Sequence, residues 1–103
     1  ALMTKGPDIE IPTEEVLLQA SGARNIEWHG VTFEMSGWLS PSNGDGYIEV
    51  QSGWVCGEEC DEAATHEGRL KGTPAAVRLS GVQNVSFHAC SFQHLGGSGV
   101  HVA

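Results

Sequence analysis

The 103-residue sequence predicts an all-β solenoid. Three observations carry the expectation. The stretch "SGARNIEWHGVTFEMSGW" at 21–38 recurs 59 positions later as "SGVQNVSFHACSFQHLGG" at 80–97. Within each copy apolar and polar residues alternate with a period of two, the mark of a strand with one face buried. Finally, no segment carries a convincing helical stripe, and Gly is abundant at 14 residues while charged residues make up only 17%, a balance that suits short strands joined by many turns.

The elements follow in order. "TEEVLLQA" from Thr13 has the flavour of a helix-capping box, but it aligns with later strand copies and is read as a strand. In the first copy Ile26 and Trp28 share a face; the phase slips at His29-Gly30, and Val31, Phe33 and Met35 take over. The second copy repeats this with Val85 and Phe87, then His88-Ala89, then Cys90 and Phe92. A one-residue slip keeps apolar side chains inside while the chain turns a corner. Gly22 matches Gly81, Asn25 matches Asn84, His29 matches His88, Phe33 matches Phe92 and Gly37 matches Gly96. A fainter third copy is read between them. "GYIEVQSG" at 46–53 ends on Ser-Gly, as do "EVLLQASG" and "AAVRLSG", and the closing glycines Gly22, Gly53 and Gly81 are nearly evenly spaced. The offset between the two strong copies then corresponds to two coils, with an acidic loop at 56–74 inserted at a corner, where a solenoid tolerates extra chain.

Coils of about 28–31 residues with Gly corners and a repeated Asn predict a right-handed parallel β-helix whose rungs stack at about 4.8 Å. Asn25 and Asn84 are expected at equivalent structural turns, since Asn tolerates a left-handed bend and can bond along the stack. "NVS" at 84–86 is formally a glycosylation sequon, but the structural role is preferred for Asn84. The whole chain, 1–103, is read as a single segment. It stops inside a strand-like pattern, so it is expected to be a piece of a longer protein.

The composition excludes several function classes. The net charge is −8, which argues against nucleic acid and anionic membrane as partners and weakens any strongly anionic polysaccharide as substrate. Glu58, Glu59, Asp61, Glu62 and Glu67 cluster in the insertion and are read as a solvated loop. No apolar run approaches a membrane span, and the start does not read as a signal peptide. Cys56, Cys60 and His66 lack the fourth ligand and the spacing of a zinc site, so a short disulfide between Cys56 and Cys60 is expected instead, in an extracellular loop. Cys90 reads as a buried small hydrophobe.

Several stretches resemble a known family. "WLSP" at 38–41, "DGY" at 45–47 with Gln51, and "FQHLGGSG" at 92–99 look like the central coils of secreted right-handed β-helix proteins of the pectate-lyase-like and β-helix glycoside hydrolase type. The likeness runs from about Glu15 to Val100. It implies an extracellular, carbohydrate-active protein that cleaves glycosidic bonds, as a hydrolase rather than a lyase. Complete members have many more coils, and catalytic carboxylates often lie on later ones. The Cys56–Cys60 insertion departs from the typical member.

Outward columns of a β-helix suit acid/base chemistry. Carboxylates one rung apart lie about 5 Å from each other, near the retaining-glycosidase separation of about 5–5.5 Å, and two rungs apart about 10 Å, close to the inverting range of about 6.5–9.5 Å. Glu34 faces outward but is matched by Gln93, and Glu27 by Ser86; Glu49 and Asp45 stand near one another on the middle stretch without stacking. Glu34, Glu49 and Asp45 are therefore candidate catalytic acids without an evident pair. His94 occupies the position of Met35, beside glycines that permit close approach, and is a candidate for sugar binding or proton transfer. Trp38, Tyr47 and Trp54 are candidates for stacking on sugar rings. His29 and His88, repeated at one position, read as scaffold. No metal site or cofactor is expected; "NGDG" with Glu49 leaves calcium as an alternative, with few oxygens and a spacing unlike that of an EF-hand. Two other readings stand beside the carbohydrate-active one: a structural or adhesive extracellular protein that self-associates into filaments through its β-helix ends, and a non-catalytic module that binds a glycan through Trp38, Tyr47 and Trp54.

Overall fold

A computed structural model describes residues 8–40, 48–51, 53–56 and 70–103. The fold is all-β. The strands are β1 (Leu18–Ser21), β2 (Arg24–His29), β3 (Thr32–Ser36), β4 (Ile48–Gln51), β5 (Trp54–Cys56), β6 (Lys71–Gly72), β7 (Ala75–Ser80), β8 (Gln83–His88), β9 (Ser91–Leu95) and β10 (Ser98–Val102). No α-helix occurs among the described residues, and none is long and apolar enough to cross a membrane.

The two sequence copies lie directly against each other. β1 pairs with β7, β2 with β8 and β3 with β9, all parallel, with Leu18 opposite Val77, Ile26 opposite Val85 and Phe33 opposite Phe92. The offset of the sequence repeat therefore runs unchanged through three sheets. β10 adds to the far edge of β7, again parallel, with Val100 opposite Val77. Between the sheets the ladder continues through the bends: Gly22 N–H donates to Ser80 O, Gly30 N–H to His88 O and Ser91 N–H to Val31 O, at 2.9, 2.9 and 3.0 Å.

The bends are where the backbone turns left-handed. Gly22 and Gly81 have φ of 64° and 57°, Asn25 and Asn84 57° and 53°, Gly30 and Ala89 65° and 51°, and Met35 and His94 63° and 52°. Each bend of the first copy thus has its twin one offset later. Gly is the residue that enters this region without cost, and Asn the commonest substitute. The phase slip at His29-Gly30 and His88-Ala89 is the third of these bends.

The reading of 46–53 as a third rung is overturned. β4 pairs antiparallel with β5, Gln51 opposite Trp54, and β5 pairs antiparallel with β6. Gly53, with φ of 77°, stands between β4 and β5. Gly53 belongs to a turn between antiparallel strands and does not close a rung; a short alternating strand before a glycine describes both. The expected coil length is corrected with it. Leu18 stacks directly on Val77, with no rung between them, and Val77 stacks on the much nearer Val100. The two register offsets within this sheet are thus unequal.

The core follows from this stacking. Among the described strands β7 alone has parallel neighbours on both edges, and its Ala75, Ala76, Val77 and Leu79 are 4% exposed or less. Phe33 is buried beside them. Aromatic side chains stack in register on the inward face: Trp28 on Phe87 at 4.8 Å and Phe33 on Phe92 at 5.0 Å, with Phe87 meeting Phe33 and Phe92 edge-on. The stacked distances match the spacing of neighbouring strands, so the ladder itself brings these rings together. Cys90 is a half-buried free thiol packed against this cluster.

Candidate functional site

Among the described residues, a cluster of ligating side chains lies where β2 and β8 run side by side. Alternation along each strand puts Glu27 and His29 on the outer face, and Ser86 and His88 likewise; the register then sets Glu27 opposite Ser86 and His29 opposite His88. The two imidazoles stack with centroids 4.5 Å apart and planes 7° from parallel. His29 Nε2 lies 3.0 Å from Glu27 Oε2, and His88 Nε2 lies 3.0 Å from Ser86 Oγ. The Glu27 carboxyl is held below its ordinary value of 4.5, first by the hydrogen bond from His29, then by the charge on His29 and, more weakly, by that on His88. All three ionisable side chains are exposed, and the ligating atoms of Glu27, His29 and His88 all fall within 4.8 Å of one another.

One strand further along, Glu34 stands opposite Gln93, whose Nε2 donates to Glu34 Oε2 at 2.6 Å. The amide occupies the position from which a second carboxylate would complete an acid pair. His94 is exposed and sits at the left-handed bend that it shares with Met35. The adjoining "LGGSG" is not an open approach for a ligand. A side chain at Gly96 would stand 2.5 Å from Trp38 N and 2.6 Å from Gly37 C, and one at Gly97 would strike Pro74 O. These glycines admit the neighbouring backbone of the same chain.

Asn84 Nδ2 donates to Asn25 Oδ1 at 2.8 Å. The nitrogen of the formal glycosylation sequon is thus engaged along the stack. Of the proposed sugar-stacking residues, Trp54 is 51% exposed on the antiparallel sheet, whereas Trp38 is half-buried beside β3. Glu49 lies in β4 opposite Val55. Asp45, Tyr47 and Cys60 lie outside the described residues, so the expected grouping of Asp45 with Glu49, of Tyr47 with the tryptophans and of Cys60 with the buried Cys56 is not described.

Sequence reasoning passes over the Glu27–His29–His88 group because a histidine repeated at one position reads as scaffold. Its signal is nonetheless present in the sequence: "EWH" at 27–29 and "SFH" at 86–88 fall in the same register, and a parallel ladder makes neighbours of matching positions.

No known family, curated protein or solved structure matches the chain.

Proposed function

We propose that the chain is a stretch of a right-handed parallel β-helix belonging to an extracellular, carbohydrate-active protein of the hydrolase-like type, in which this stretch supplies stacked scaffold and a glycan-contacting rim. The observation that carries the scaffold reading is the single parallel register kept through three sheets, with matching bends. A coil that returns to the same place must keep one offset in every sheet it crosses. The carbohydrate reading is supported by the exposed indole of Trp54, an aromatic face suited to a sugar ring. Glycosidic-bond cleavage needs paired carboxylates. Glu34 is matched with Gln93, so the reading assigns this stretch binding rather than bond cleavage. The net charge of −8 favours neutral over anionic glycans.

Affinity electrophoresis of the chain through gels containing neutral polysaccharides tests it. Retardation that is reduced by Trp54→Ala is the expected result; migration unaltered by every neutral and acidic polysaccharide overturns the carbohydrate reading.

A second reading, end-to-end self-association, is favoured by the edges of the three-stranded parallel sheet. Among the described strands β1 and β10 are its outer ones, and Leu17, Val100 and Val102 beside or within them are 38%, 40% and 67% exposed. Open parallel edges template further strands. Sedimentation velocity over a concentration series discriminates: growing oligomers support the reading, and a monomer at all concentrations removes it.

A further inference from the structure

We propose that Glu27, His29 and His88 form a binding site for a divalent transition-metal ion, with zinc as the probe of choice. The inference does not depend on any carbohydrate function; it rests on the pairing of β2 with β8.

Three features of the geometry point to a ligand set rather than to a stacked pair alone. Both Nε2 atoms are turned toward the residue two positions earlier on their own strand, Glu27 in one case and Ser86 in the other. Glu27 and Ser86 are themselves register partners, so both nitrogens face the same side of the ladder. The Glu27 carboxylate stands on that side, and one ring nitrogen from each histidine and a carboxylate oxygen fall within 4.8 Å of one another. Zinc bonds of about 2.0–2.2 Å to nitrogen and oxygen set tetrahedral donors about 3.3–3.6 Å apart. All three side chains are exposed, so the proposed site asks only that they rotate to close that difference.

The donor types select the metal. Two imidazoles and one carboxylate suit zinc, copper and nickel, while calcium and magnesium require shells made of oxygen. Three protein ligands leave one tetrahedral position for water. Binding requires each Nε2 to be unprotonated, with the ring proton carried on Nδ1. His29 then exchanges its hydrogen bond to Glu27 for a shared bond to the metal, and His88 gives up its contact with Ser86. The acidic surface, net charge −8, draws cations toward the site.

Isothermal titration of the chain with Zn²⁺, paired with nitrogen-detected NMR of the histidine rings, tests the proposal. The expected result is a saturable site that Ca²⁺ does not fill. His29→Ala and His88→Ala should each weaken it at least about tenfold, the lower end of what even supporting groups around a metal contribute, with Glu27→Gln also weakening it. In the unmodified chain the Nε2 resonances of His29 and His88 should shift together, while those of His94 and His101 stay in place. Zinc affinity unaltered by the histidine substitutions, absence of saturable binding, or shifts confined to other histidines overturns the proposal. The NMR arm needs no substitution, so a variant that fails to fold leaves the outcome decidable.

Discussion

Asn84 donates its side-chain amide to the side-chain oxygen of Asn25 at 2.8 Å, and both residues hold a left-handed backbone. The same residue type thus meets two demands, a bend that L-residues with a branched or bulky side chain resist and a hydrogen bond along the stack. The two can be separated. Asn84→Ala loses the bond and strains the bend, and should lower stability by about 2 kcal/mol. Asn84→Gly keeps the bend and loses only the bond, so it should cost about half as much. Urea denaturation of both variants checks the ordering; equal losses would mean that the bend carries no strain.

Gly30 and Ala89 occupy the same bend in the two copies, at φ of 65° and 51°. A side chain at Gly30 would meet nothing within 4 Å. Gly30→Ala should therefore cost about 1–2 kcal/mol, from backbone strain alone. Ala89→Gly relieves the same strain and should be neutral to stabilising by up to about 1 kcal/mol, because the freer unfolded chain offsets part of the gain. Thermal unfolding of the pair gives opposite signs if the bend, and not a contact, is what matters.

Gly96 presents the contrasting case. Its backbone is pressed against Gly37 and Trp38, where an added Cβ would stand 2.5 Å from a backbone nitrogen. Gly96→Ala should lower stability by about 1–3 kcal/mol through overpacking. The urea midpoint should fall, with exchange protection lost first at Gly96 N–H, which donates to Ser36 O at 2.8 Å.

Glu27 makes the stability depend on acid. Its carboxyl is held below 4.5 in the folded chain, chiefly by the hydrogen bond from His29. A depressed folded value contributes stability that is present in full above the ordinary value and is lost as the pH falls through the depressed one. Glu27→Gln should therefore lower the denaturation midpoint near neutrality. The gap from the unmodified chain should close as the pH falls from the ordinary value of 4.5 through the lower folded one. A gap that stays constant through the acid range would show that the carboxylate's charge is not involved.

Much of the fold is legible in the sequence because a parallel ladder repeats its requirements. Ile26 and Val85, Phe33 and Phe92, and Gly22 and Gly81 recur in like positions because stacked residues share one environment. The middle of the chain misleads for the same reason that the ends inform. "YIEVQSG" has the alternation of a rung, but alternation says only that one face is covered, and Gly53 turns the strand back into a hairpin. Met35 and His94 read as strand positions because neither residue type advertises a left-handed bend. The chemistry is less legible still. His94 draws notice by differing from its match, whereas His29 and His88 recede by agreeing.

By itself the sequence determined an all-β chain, the repeat and its constant offset, the aromatic inward face and the corner asparagines, because each of these is a local preference written twice. Only the tertiary structure decided which strands touch. Register between distant segments is a property of the assembled sheets, and it sets Gln93 against Glu34, closes Gly96 onto Gly37, and brings Glu27 and His29 to His88 across the β2–β8 pair.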